Sequence, residues 1–197
     1  MKRRIKDTVN RLFYNNRVIS NDCSLSPFFI VGSGRCGTTL LRRMLCSVAN
    51  VHIPPEKFFL PDAIRSFNAS IFLTWDERVD LVLGRIEYHN EFAYFEINTL
   101  QPLANKLKLL PSSRQTLEEI VTGFYHYHAE MSGMGDCAWG DKTPMHVWHM
   151  EKIYKLYPKV KFIHLVRDGA DVVNSWVKAR DEYPIKEASL RWQSSIN

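Results

Sequence analysis

Residues 28–41, Phe-Phe-Ile-Val-Gly-Ser-Gly-Arg-Cys-Gly-Thr-Thr-Leu-Leu, constrain the fold more than any other part of this chain. Four apolar residues, Phe28 to Val31, suit a strand buried on both faces. A glycine-rich turn follows, and then Leu40, Leu41, Met44, Leu45 and Val48 recur at helical spacing and mark one face of a helix. Strand, glycine loop and helix together aim backbone N–H groups and a helix N-terminus at one spot, and that spot suits a phosphate. The run from Gly32 to Gly37, followed by Thr38 and Thr39, matches a Walker A loop in length. Thr38 stands where that loop has lysine, and the nearby cation is Arg35, inside the loop. Without that lysine on the β- and γ-phosphates, ordinary nucleoside triphosphate hydrolysis is disfavoured. The residues describe a phosphate cradle. A purely structural glycine turn is the simpler alternative, but strand, spacing and paired threonines agree with one another.

A chain of 197 residues can bury a real core and reads as one main domain. Its net charge of +5 favours an anionic ligand, yet no long basic run accompanies it, so nucleic acid is not an expected partner. Much of the excess lies in Met1-Lys2-Arg3-Arg4-Ile5-Lys6, with Arg11 and Arg17. Asp7, Asn10, Asn15 and Asn16 interrupt any apolar run there, so a signal peptide is not expected. No stretch approaches the length of a membrane span. Residues 1–25 therefore read as a basic helix or linker at the domain edge, preferred over membrane contact, and residues 26–197 as the folded domain. Cys23, Cys36, Cys46 and Cys137 have no paired spacing and read as reduced thiols of a cytoplasmic protein. Cys36 lies beside Arg35 at a helix N-terminus, but no base accompanies it, so a nucleophilic role is not favoured.

After the first helix, Pro54 and Pro55 force extended backbone and set Glu56 on a loop or short strand. Residues 62–110 read as mixed helix broken by Gly84, Pro102 and Pro111, with Leu81-Val82-Leu83 as core. Residues 112–131 read as a helix with Ser112-Ser113 as N-cap and Leu117, Ile120, Val121, Phe124 and Tyr125 on its apolar face. His126 and His128 diverge on a helix and read as surface or packing residues, not metal ligands. Gly135-Asp136 marks a turn. Trp139 to Pro144 reads as a compact polar corner, with Thr143 capping a helix over 145–157 whose first turn holds Pro144. That helix turns Val147, Met150, Ile153, Tyr154 and Tyr157 inward, while His146 and His149 read as packing or surface residues. Lys159 to Val166 reads as a second apolar strand ending in Arg167-Asp168-Gly169, and Ala170 to Ala179 as a helix bearing Val172, Val173, Trp176 and Val177.

Two strand–turn–helix units around a long helical excursion predict an α/β fold, a parallel β-sheet flanked by helices in a P-loop-like three-layer sandwich. Ligands of such sheets bind beyond the carboxyl ends of the strands. The 32–39 loop and the Arg167–Ser175 segment then share one rim.

Those two segments together resemble the sulfotransferase superfamily. Gly34-Arg35-Cys36-Gly37-Thr38-Thr39-Leu40-Leu41 is similar to its 5′-phosphosulfate loop, and the segment from Val166 to Trp176 to its 3′-phosphate segment. Gly140-Asp141-Lys142-Thr143-Pro144 matches the branch that holds tyrosylprotein and many bacterial sulfotransferases. The resemblance runs from about Phe28 to Asn197. It implies transfer of a sulfuryl group from 3′-phosphoadenosine 5′-phosphosulfate (PAPS) to a hydroxyl, with no metal. On the matching positions, Ser33, Gly34, Arg35, Cys36, Gly37, Thr38 and Thr39 would hold the 5′-phosphosulfate, and Arg167 and Ser175 the 3′-phosphate. Arg35 and Lys142 would stabilise the transition state, since cations placed where charge develops act more on the transition state than on the ground state. The acceptor must lose a proton, and Glu56, seventeen residues past Thr39, matches the branch's base. His52 is the rival base by analogy with cytosolic members. A surface Glu56 paired with Lys57 or Arg65 is the alternative without chemistry. The family pattern ordinarily continues beyond Trp192-Gln193-Ser194-Ser195-Ile196-Asn197, so the sequence reads as C-terminally truncated in mid-helix. With neither membrane anchor nor disulfide pattern visible, the resemblance implies a bacterial-type cytosolic enzyme acting on a small-molecule, lipid, glycan or peptide hydroxyl.

Two other readings compete. A small-molecule or nucleotide kinase would need a lysine where Thr38 stands, and an aspartate for magnesium. An inactive nucleotide-binding protein on the same fold would need no base, and Arg35, Glu56 and Lys142 together speak against it.

Overall fold

The computed structural model describes residues 26–90, 92–135, 137–179 and 184–197. The expected basic segment at 1–25 lies outside them. Four parallel strands form the sheet in the order β2-β3-β1-β4: β1 is Phe28–Gly32, β2 Val51–His52, β3 Ala138–Lys142 and β4 Lys161–Leu165. Register places Phe28 beside Gly140, Ile30 beside Lys142 and Gly32 beside Leu165, so the carboxyl ends of the three longer strands lie side by side. β1 is buried along its whole length, as an apolar run in a parallel sheet should be.

Side chains alternate along β1 into two cores. Phe29 and Val31 face a large cluster with Trp139, Phe124 and Tyr125, while Phe28 and Ile30 face a smaller one with Leu45 and Ile53. Helix α1 (Thr38–Val48) covers the smaller cluster. Helices α2 (Leu60–Ala69), α3 (Trp75–Glu87), α4 (Gln101–Lys108) and α5 (Leu117–Met131) bury residues in the larger one. Helix α6 (Met150–Leu156) joins it through Ile153. Helices thus flank both faces of the parallel sheet, which is the predicted α/β layering. Helices α7 (Gly169–Ala179) and α8 (Ile185–Ser194) pack on one another beyond β4, where the Trp192 indole donates to the Arg167 carbonyl at 3.0 Å.

Several local expectations are corrected. The stretch Trp139–Lys142 is not a corner but most of strand β3, buried throughout despite Asp141 and Lys142. Gly140 permits its close approach to β1: a Cβ there would lie 2.4 Å from the Phe28 ring. Gly84 does not break its helix, since α3 runs through it and ends at Glu87. Pro102 sits in the first turn of α4, where no N–H is missed. Thr116, not Ser112-Ser113, caps α5 by accepting from the Glu119 amide at 3.2 Å, and residues 112–114 form a separate 3₁₀ turn. The expected 145–157 helix is a 3₁₀ segment, Pro144–His149, followed by α6. Thr143 does not cap it; its hydroxyl donates instead to the Lys57 carbonyl at 3.1 Å. Tyr154 and Leu40 point outward, 56% and 64% exposed, because the inward stripes are narrower than their apolar residues suggest. The last helix closes at Ser194, with the Ser195 amide donating back to the Trp192 carbonyl.

Candidate active site

The loop after β1 is wound by left-handed residues. Gly34 has φ 76°, Arg35 57° and Gly37 98°. For Arg35 this is a conformation that L side chains rarely adopt, held here by its neighbours. A Cβ on Gly34 would lie 3.1 Å from the Trp176 ring, so α7 presses directly on the loop. Gly37 is the N-cap of α1 and offers no side chain, which leaves the first-turn amides without a side-chain partner. Backbone donors at a helix N-terminus suit an anion. Ser33 and Thr38 are buried in the loop, and Ser33 donates to the Gly34 carbonyl at 2.8 Å. Cys36 is also buried, its sulfur lodged where a Cβ on Gly32 would sit at 2.7 Å. It is a packing residue of the loop.

Two groups of side chains meet this loop. On one side the Arg35 Nε donates to the Ser175 hydroxyl at 3.1 Å, joining residues from β1's loop and α7. Arg167 reaches the Arg35 carbonyl at 3.5 Å and is ion-paired with Asp171 at 2.9 Å. Arg35, Arg167, Asn174, Ser175 and Lys178 line a cavity of about 350 Å³, in which Asp171 is the one carboxylate against three cations. Asp171, Asn174 and Lys178 were not singled out from the sequence. Their spacing of three and four residues puts them on one helix face with Ser175, a signal that was readable.

On the other side stands Lys142, at the end of β3 and 4% exposed. Its ammonium contacts Glu56 at 2.5 Å and donates to the Thr39 hydroxyl at 3.4 Å. Glu56 is therefore paired with Lys142 rather than with either alternative. Lys57 instead lies 4.3 Å over the Tyr94 ring, and Arg65 pairs with Asp62 at 2.7 Å. Two tethers fix the Glu56 loop: Thr143 on the Lys57 carbonyl, and the Arg42 Nε on the Ile53 carbonyl at 2.8 Å. Arg35 and Lys142, which the resemblance assigns to one task, hydrogen-bond to different partners.

Behind Lys142 lies a buried network that sequence reasoning missed. Asp141 accepts from the Tyr125 hydroxyl at 2.7 Å, and Tyr125 stacks on Trp139 at 4.1 Å. Burial, and then the Asp141 charge, hold the Tyr125 phenol well above its usual range. His146 is fully buried 3.5 Å from Asp141, and burial keeps it below its ordinary value despite that carboxylate. His52, the rival base, is buried against His128 with its Nε2 2.7 Å from the His128 Nδ1. Burial, with the charges of His128 and Arg42, brings His52 down to about 4. Among the described residues no group of three or more potential ligands could hold a metal ion, and no helix is long and apolar enough to cross a membrane.

The model of the sulfotransferase family matches residues 27–196. The chain belongs to the sulfotransferase family. Among solved structures, the sulfotransferase domain of the olefin synthase from Synechococcus PCC 7002 shares the fold, with a TM-score of 0.52 at 23% identity. The match covers 86% of this chain and 58% of that one, so this chain spans less than two thirds of its relative's length. No curated protein matches. The fold neighbour agrees with the α/β sheet described above.

Proposed function

We propose that this chain is a PAPS-dependent sulfotransferase in which Glu56 is the general base. One observation carries the reading: a single buried ammonium, that of Lys142, touches both the Glu56 carboxylate and Thr39 of the phosphate loop. Base, cation and phosphate cradle therefore stand within one side chain's reach. Few reactions need all three together, and group transfer from a phosphoanhydride-like donor to a hydroxyl is one.

The donor needs two separated anion pockets, and the residues fit it. The uncapped amides of α1, with Ser33, Gly34, Gly37, Thr38 and Thr39, would hold the 5′-phosphosulfate, and the cavity of Arg167 and Ser175 the 3′-phosphate. Cys36 would contribute its backbone alone, its side chain being buried. When bound, the donor supplies the sulfuryl group and a bisphosphate leaving group. Glu56 takes the acceptor's proton as the hydroxyl attacks. Once neutral, it no longer balances the Lys142 charge, which turns to the anion growing in the transition state. A positioned donor of this kind is worth about 3 kcal/mol, or about a hundredfold in rate. Arg35, in reach of Ser175, would act from the opposite side of the loop. The acceptor would be a small-molecule, lipid, glycan or peptide hydroxyl. Cys36 and Cys46, both free thiols, accord with a cytoplasmic location.

The test is transfer of ³⁵S from labelled PAPS to a panel of hydroxyl compounds. Wild type should label an acceptor, and Glu56→Gln should be slower by about 10²–10⁴, the usual worth of a general base, while binding 3′,5′-adenosine bisphosphate unchanged. Equal labelling by both proteins would remove Glu56 from the mechanism.

A further inference from the structure

One cavity bears on the substrate. About 1010 Å³ in volume, it lies between α2 and α6 and is lined by Phe58 of the loop that carries Glu56. Phe58, Ile64, Phe67, Leu117 and Leu156 line it. Phe58 is the lining residue nearest Glu56 along the chain. It is two residues from Glu56, a span of at most about 7 Å, and its ring lies 5.5 Å from His146 and 5.3 Å from His149. The Arg78 guanidinium lies 3.5 Å from the Phe67 ring and donates to the Phe67 carbonyl. The volume stands at the upper end of small-molecule clefts, more than one aromatic ring needs.

The rim is cationic. Arg65, Lys152 and Lys155 line the cavity against the single carboxylate of Asp62. Arg65 is paired with Asp62, and Lys155 with Glu151 at 2.7 Å. Lys152 has no such pair among the described residues. Its charge, after burial, helps hold the neighbouring His149 below its ordinary value. An apolar trough with an ammonium outside the ion pairs of the described residues complements a molecule with an apolar body and an anionic group.

We propose that this trough holds the body of the acceptor, and that the acceptor is an anionic amphiphile whose hydroxyl enters at Phe58 while its anion meets Lys152. The inference rests on the sulfotransferase reading and narrows its acceptor class. It also explains why α2 buries only Leu60, Ala63 and Ser66 and leaves Ile64 and Phe67 half-covered.

Calorimetric titration of the whole chain with 12-hydroxydodecanoate tests it, with 1,12-dodecanediol as the uncharged counterpart. The hydroxy acid should bind about tenfold more tightly than the diol, and Lys152→Glu should remove that preference. Ile64→Trp, which fills the trough without changing charge, should weaken both probes. Equal affinity for acid and diol, or affinities untouched by Lys152→Glu, would overturn the proposal. 3′,5′-Adenosine bisphosphate is titrated in parallel. Its normal binding alongside failure of the two probes refutes the trough alone, whereas failure of the bisphosphate refutes the sulfotransferase reading.

Discussion

Acid should destabilise this protein through one histidine pair. His52 on β2 and His128 on α5 are 7% and 5% exposed and hydrogen-bonded to each other at 2.7 Å. Each is brought to about 4 from an ordinary value of 6.5, by burial first and then by charges that include Arg42. The folded state thus resists protonation that the unfolded state accepts. Between the two values the unfolded chain binds more protons, so stability is complete above about pH 6.5 and falls as the pH drops toward about 4. At about pH 5 an unfolded histidine is almost fully charged and a folded one mostly neutral, which costs about 2 kcal/mol per histidine. His146, fully buried, acts in the same direction. Urea unfolding at about pH 7 and about pH 5 measures the loss, and His128→Leu isolates the pair. That variant should be less stable at neutral pH but should lose about 2 kcal/mol less on acidification. A pH dependence identical in wild type and variant would refute the argument, because the protons would then be taken up elsewhere.

Two further substitutions examine the loop and a helix. Gly34→Ala puts a methyl 3.1 Å from Trp176 on a residue at φ 76°; it should cost about 1–2 kcal/mol in urea unfolding and weaken bisphosphate binding, since the loop must move. Thr116→Ala removes the α5 cap and should cost about 1 kcal/mol by the same assay, with no effect on nucleotide binding.

The fold's skeleton could be read where pattern and physics agree. Phe28–Val31 is apolar on both faces because β1 lies inside the sheet, and its glycine loop leads into a helix of the expected start. Strand β3 escaped because it breaks the pattern: Gly140, Asp141 and Lys142 look like a turn, yet they are buried as a strand paired with β1. Local rules fail where function is placed. The α5 cap was readable in Thr116-Leu117-Glu118-Glu119, a threonine three residues before a glutamate, and the two serines drew attention from it. The family resemblance pointed to Glu56 and Lys142, and the structure joins them across 86 residues. That Lys142 also reaches Thr39 could not be read from the sequence, because it depends on the β1–β3 register. The His52–His128 contact spans 76 residues and left no local pattern at all.

The central claim is that this rim holds two anions of one nucleotide. Calorimetric titration with 3′,5′-adenosine bisphosphate, against ATP with magnesium, tests it most directly. The bisphosphate should bind, ATP with magnesium should not compete at equal concentration, and Arg167→Ala should weaken the bisphosphate by about tenfold or more as one charged contact is lost. Tight binding of ATP with magnesium and none of the bisphosphate would contradict the account and favour a phosphoryl-transfer enzyme instead.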